Sequence, residues 1–194
     1  YCPRDFYYKF IEKRVKPQTE SLVKGTLIHV MYKDFFDRKL FADEPYFKWY
    51  LEKVIERAME KENGRINKIG IKRDVLKNFL LNSLKKMERA FREGELEIPV
   101  ATEQRIENDN FIARADALFE TDGEISVADV KIRLRRLDEV KLQLAVAALI
   151  LESQGKKVSK AIAIDAENWK QVPVELDEEL KKEVYDIREK ILKM

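Results

Sequence analysis

The chain has 194 residues, 45% hydrophobic and 38% charged, with a formal net charge of +2. That length suits one sizeable core and excludes two ordinary domains, and the near balance of charge excludes a uniformly basic nucleic-acid binder, so any basic surface must be local. A single cysteine, Cys2, excludes an internal disulfide and a thiolate cage and points to a reducing, cytoplasmic setting, while no apolar run approaches the roughly 20 residues of a membrane span.

The first third reads as helices. Pro3 opens PRDFYYKFIEKR and Pro17 ends it; Thr26 is placed to cap LIHVMYKDFFDRKL; Asp43 and Pro45 open PYFKWYLEKVIERAMEK, which stops near Gly64. A long amphipathic helix is expected from about Arg73 to Glu93, with Val75, Leu76, Phe79, Leu80, Leu84, Met87 and Phe91 at helical spacing and Gly94 just past its end. Such stripes are core surface. The period then changes: EIPVATEQRI, FIARADALFE and EISVADVKIRL are β-like runs separated by END and TDG, which are turn chemistry. Asp138 starts the helix DEVKLQLAVAALILESQG, closed by Gly155; a strand, SKAIAID, and a hairpin through Asn168 to QVPVEL follow, and Asp177 caps a charged final helix. The expected class is α/β, a mixed sheet with flanking helices and an N-terminal helical annex. It forms one domain, with residues 1–93 helical and 94–194 an α/β core.

The TDGE hairpin carries its own register. A two-residue primed turn at Asp122 and Gly123 sets Thr121 against Glu124, and therefore Asp116 against Asp129, Arg114 against Lys131, Leu118 against Val127, Ala115 against Val130 and Ala117 against Ala128. One face of the hairpin is then small and apolar; the other is apolar near the turn and charged at its far end. Like charges directly opposed across two strands are destabilising, so two carboxylates there need a shared proton or a cation. Mg²⁺ and Mn²⁺ favour oxygen ligands and commonly use one or two carboxylates with water and phosphate, and an ammonium one pleat away, Lys131, would stabilise charge on a phosphoryl group. The same triplet on an exposed edge would be solvated charge. Arg133, Arg135 and Arg136 follow directly and can grip phosphates beside the site; Lys9, Lys13, Arg14 and Lys16 on the first helix are further candidates for the DNA backbone, and Phe6, Tyr7, Tyr8 and Phe10 offer stacking for a single strand.

These residues resemble the PD-(D/E)XK nucleases, in the RecB-like branch that includes the CRISPR-associated exonucleases with an iron-sulfur cluster. YCPRDFYYKF is similar to that branch's N-terminal Cys-Pro-Arg segment, KGTLIH to its Gly-x-x-x-His motif, RAD to its metal Asp, DVK to its acid-x-Lys and QLAVAALILE to its Gln-led helix. The resemblance implies a restriction-endonuclease-like core. It makes His29, the only histidine, a helix-borne metal ligand together with Asp116, Asp129 and the carbonyl of Val130, makes Lys131 the catalytic lysine, and gives Gln143 the positioning of DNA or water. The chain departs from the pattern where ARAD lacks the usual Gly before the Asp and where Ala147 replaces a Tyr four residues after Gln143. It also lacks the three further cysteines that would join Cys2 around a cluster, so a cluster is expected only where an additional C-terminal segment supplies them.

The resulting expectation is a Mg²⁺- or Mn²⁺-dependent DNA exonuclease acting on single-stranded or end-containing DNA, which the resemblance assigns to trimming ends in CRISPR adaptation beside the integration proteins. A RecB-like repair or viral nuclease without CRISPR partners, and a non-catalytic DNA-binding or partner-docking domain, are the alternatives.

Overall fold

The computed structural model describes residues 19–37, 47–134 and 137–193. The expected first helix, Cys2, the Asp43–Pro45 helix start, Arg135 and Arg136 lie outside those residues.

Helix α1 spans Glu20–Asp37 and begins earlier than Thr26 suggested. Its cap is Thr19, whose hydroxyl accepts the Leu22 N–H at 3.2 Å, while the Thr26 hydroxyl, inside the helix, donates back to the Leu22 carbonyl at 3.1 Å. A threonine before an apolar run can close its hydroxyl onto the preceding turn as easily as start a new one. Helix α2 (Phe47–Lys61) does not end the helical segment at Gly64, because a second short helix, α3 (Asn63–Ile69), restarts at once with Gly64 inside it and ends on Gly70 at φ 74°. Ile66, fully buried, anchors that extra turn to the core. Helix α4 (Arg73–Arg92) buries Leu76, Leu80, Leu84 and Met87 as their spacing requires. Val75 sits one residue off the stripe and is exposed.

The sheet has five strands: β1 (Ala101–Glu107), β2 (Ile112–Thr121), β3 (Glu124–Lys131), β4 (Val158–Asp165) and β5 (Lys170–Val174). Their order in the sheet follows the sequence. All neighbours are antiparallel except β3 and β4, which are parallel and joined through α5 (Leu137–Ser153). Helix α6 (Glu178–Leu192), capped by Asp177 as expected with its carboxylate accepting the Leu180 N–H at 2.7 Å, packs on α5.

Two apolar layers sandwich the sheet. Ala117, Phe119, Ala128, Val130, Ile162 and Ile164 meet α1, α2 and α4 on one side, while Leu118, Val127, Ala161 and Ala163 meet α5 on the other. Both faces of the β2–β3 hairpin are therefore covered by helices, where the sequence suggested one covered face and one partly charged face. The turn is the primed one expected, with Asp122 at φ 54° and Gly123 at φ 77°, and the predicted register holds from Thr121–Glu124 to Ala117–Ala128. The ladder ends there, so the expected pairs Asp116–Asp129, Ala115–Val130 and Arg114–Lys131 are not part of it. The reason lies at Asp116. Ala115 and Ala117 would share a face in a regular strand, yet Ala115 packs under α5 and Ala117 against α1. The strand turns over between them and opens a gap beside β3.

Candidate active site

The gap is filled by a side chain. Asp116, 7% exposed, reaches toward β3 so that its Oδ2 accepts the Val130 N–H at 2.6 Å, replacing the ladder bond that the opened strands no longer supply. Its other oxygen, Oδ1, lies 3.2 Å from Nδ1 of His29, which descends from the middle of α1. A third group joins them: Glu103 Oε1 lies 3.1 Å from the same Nδ1. Glu103 stands on β1 across from Asp116, between the pairs Thr102–Ala117 and Gln104–Ala115. Its second oxygen lies 3.3 Å from Nη1 of Arg114. Glu103 has φ 49°, a left-handed backbone that costs a non-glycine residue on the order of 1 kcal/mol or more.

Beside this group, Lys131 Nζ lies 2.9 Å from Asp129 Oδ1 and 2.7 Å from Oδ2. Only the first contact has hydrogen-bond geometry, so Oδ2 is left buried without a directed donor. The Lys131 strand end is tied down by the Ala166 N–H, which donates to the Lys131 carbonyl at 2.8 Å.

The electrostatics follow from this crowding. Burial alone would pull the His29 pKa down, but the Asp116 and Glu103 carboxylates at Nδ1 outweigh it and push it up to about 10. Burial raises Asp129 to about 6, with the Asp116 charge adding to it and the Lys131 ammonium opposing it. Burial, and then the Asp116 charge, also raise the Tyr32 hydroxyl one turn beyond His29.

His29, Glu103 and Asp116 each offer a ligand atom, all within 4.8 Å of one another. Two ligands on adjacent corners of an octahedron with bonds of about 2.1 Å are about 3.0 Å apart. The 3.1 and 3.2 Å separations at Nδ1 match that spacing, so the donor set fits a hard divalent cation. The orphaned Asp129 oxygen is a further candidate donor.

The structure thus brings His29, Asp116, Asp129, Val130 and Lys131 to one place, although Asp129 is turned to Lys131 and Val130 enters through its N–H. Gln143 is exposed on α5 and takes no part in these contacts. Arg133, half exposed just past β3, pairs with Glu167 at 2.7 Å. Ala147 is buried among the residues under α5. Glu103 was not singled out in the sequence: in ATEQRI it reads as an outward strand residue, and nothing local announces a left-handed backbone.

A family model of the PD-(D/E)XK nuclease superfamily matches residues 1–193, and the chain belongs to that superfamily, whose nucleases use divalent metals. Among solved structures the chain is similar to a protein from Eubacterium rectale described as "Putative exonuclease", with a TM-score of 0.55 and 12% identity over 97% of this chain and 73% of that one. That likeness speaks to the fold, the restriction-endonuclease-like mixed sheet. No curated protein matches the chain.

Proposed function

We propose that the chain is a metal-dependent DNA exonuclease of the RecB-like branch. The observation that carries the reading is the meeting of a His–Glu–Asp group with an Asp–Lys pair where β2 and β3 part. His29, Asp116, Asp129 and the Val130 carbonyl are the proposed cation ligands, and the three oxygen donors among them suit Mg²⁺ or Mn²⁺. Bound there, such a cation supplies Lewis acidity to a phosphoryl oxygen and lowers the pKa of a water.

The protein's own groups do the rest. The Val130 N–H fixes one Asp116 oxygen, which aims the other into the site. Lys131, held by Asp129, presents its ammonium where negative charge grows on the phosphoryl oxygens as water attacks phosphorus. A bond from the water oxygen to phosphorus forms, the bond from phosphorus to the leaving oxygen breaks, and that oxygen ends protonated. Gln143 is the proposed contact to DNA or water, and Arg133, Arg135 and Arg136 the proposed grip on neighbouring phosphates. Residues 94–194 would form the catalytic core and residues 1–93 the helical part that lends it His29, in one domain.

The biological task proposed is the trimming of single-stranded or end-containing DNA in CRISPR adaptation, in company with the integration proteins. Ala147 favours, as the second reading, a repair or viral nuclease without those partners. Among the described residues no helix is long and apolar enough to cross a membrane.

End-labelled single- and double-stranded DNA incubated with Mn²⁺, Mg²⁺ or EDTA tests the reading. Cleavage should require the metal and fall on the order of 100-fold or more in both Lys131→Ala and Asp116→Ala. A folded protein that leaves both substrates intact in Mn²⁺ would instead be a binding or docking domain.

A further inference from the structure

We propose that Glu103 is a residue of the cation site, and that β1 is bent out of regular strand geometry to put it there. The inference rests on the reading of this site as the nuclease centre and adds a ligand-bearing strand to it. Three observations carry it. First, Glu103 has φ 49° with regular pairs on either side of it, Thr102–Ala117 and Gln104–Ala115, so the distortion is confined to this residue. Glycine or asparagine would hold that conformation with less strain, which leaves the carboxylate as the reason for glutamate. Second, the distortion has a direction: Thr102 bonds Asp37 of α1 and the next residue, Glu103, bonds His29 of the same helix, whereas consecutive residues of a regular strand point to opposite faces. Third, the result is a carboxylate, 16% exposed, opposite another carboxylate and converging with it on one imidazole nitrogen. Like charges so opposed disfavour the fold unless something positive lies between them, and a divalent cation fills that place better than a single imidazole proton. Arg114, on the other Glu103 oxygen, holds the carboxylate from the solvent side.

The test is Mn²⁺ affinity of the folded protein, read as free Mn²⁺ by electron paramagnetic resonance, for the unmodified chain, Glu103→Gln, Glu103→Asn, Asp116→Asn and Glu107→Gln, with circular dichroism to confirm each fold. Gln keeps the length and removes the charge, Asn accepts the backbone and withdraws the oxygen, and Glu107 lies at the far end of the same strand. Dissociation constants about 10- to 100-fold higher in both Glu103 variants, with Glu107→Gln unchanged, are expected. Unmodified affinity in both Glu103 variants beside a loss in Asp116→Asn would overturn the inference and leave the nuclease reading standing. No Mn²⁺ binding by the unmodified protein would overturn both.

Discussion

At the scale of residues, the site balances charge with protons as long as no cation is present, and this has a measurable sign. His29 is raised from 6.5 to about 10, so the stability it contributes is full below pH 6.5 and is lost as pH climbs toward 10. Asp129, raised from 3.8 to about 6, acts in the same direction at lower pH, because the fold favours its neutral form. In EDTA the thermal midpoint should therefore fall between pH 6.5 and 10, and the fall should be shallower in His29→Asn; parallel curves would show that His29 does not hold the proton. A strand pattern and a turn singled out Asp116, Asp129 and Lys131 as proposed site residues, but the direct Asp116–Asp129 opposition behind that reading is absent from the ladder, and Asp116 reaches the Val130 N–H and His29 instead. Glu103 was not legible in the sequence. Its proposed role depends on one dihedral angle, and the side chain it meets, His29, lies 74 residues away.

Elements were readable where local chemistry and tertiary packing agree. Asp177 starts α6 and Gly155 follows α5 because a carboxylate at an N-cap and a glycine past a C-terminus satisfy backbone groups wherever the helix then packs. Thr26 and Gly64 misled because each has a second use inside a helix, and the buried faces around Leu27 and Ile66 decided which use was taken. The β2–β3 turn is the element on which the paired stretch from Thr121–Glu124 to Ala117–Ala128 hangs. Gly123→Ala, which would force a side chain into φ 77°, should lower stability by about 1 kcal/mol, seen as a lower urea midpoint at unchanged slope. A variant as stable as the unmodified chain would mean that the register is held by strand contacts alone.

For the whole molecule, a net charge of +2 on a chain with 38 basic and 36 acidic residues gives little long-range pull on DNA, so on the proposed reading affinity would come from a few cations beside the site. Arg133 is the described member of the proposed trio, and its pairing with Glu167 means that phosphate would have to compete with a carboxylate for it. Anisotropy of a labelled single strand in EDTA, measured across salt concentrations, should show Arg133→Ala weakening binding and reducing the slope of log K against log salt by about 1. An unchanged slope would assign Arg133 to the structural pair. The two-layer core explains why the helical half could not be placed from sequence alone. Helix periodicity shows that α1 and α4 have apolar faces, but only the assembled sheet shows that α1 lies with His29 over the parting of β2 and β3.

His29 is the only imidazole in 194 residues, and the fold has put it against the Glu103 and Asp116 carboxylates, at the proposed cation site. The protein therefore carries a built-in spectroscopic reporter: one pair of ring-carbon proton resonances, needing no assignment, would broaden on Mn²⁺, shift on Mg²⁺ and move again when a DNA end arrives.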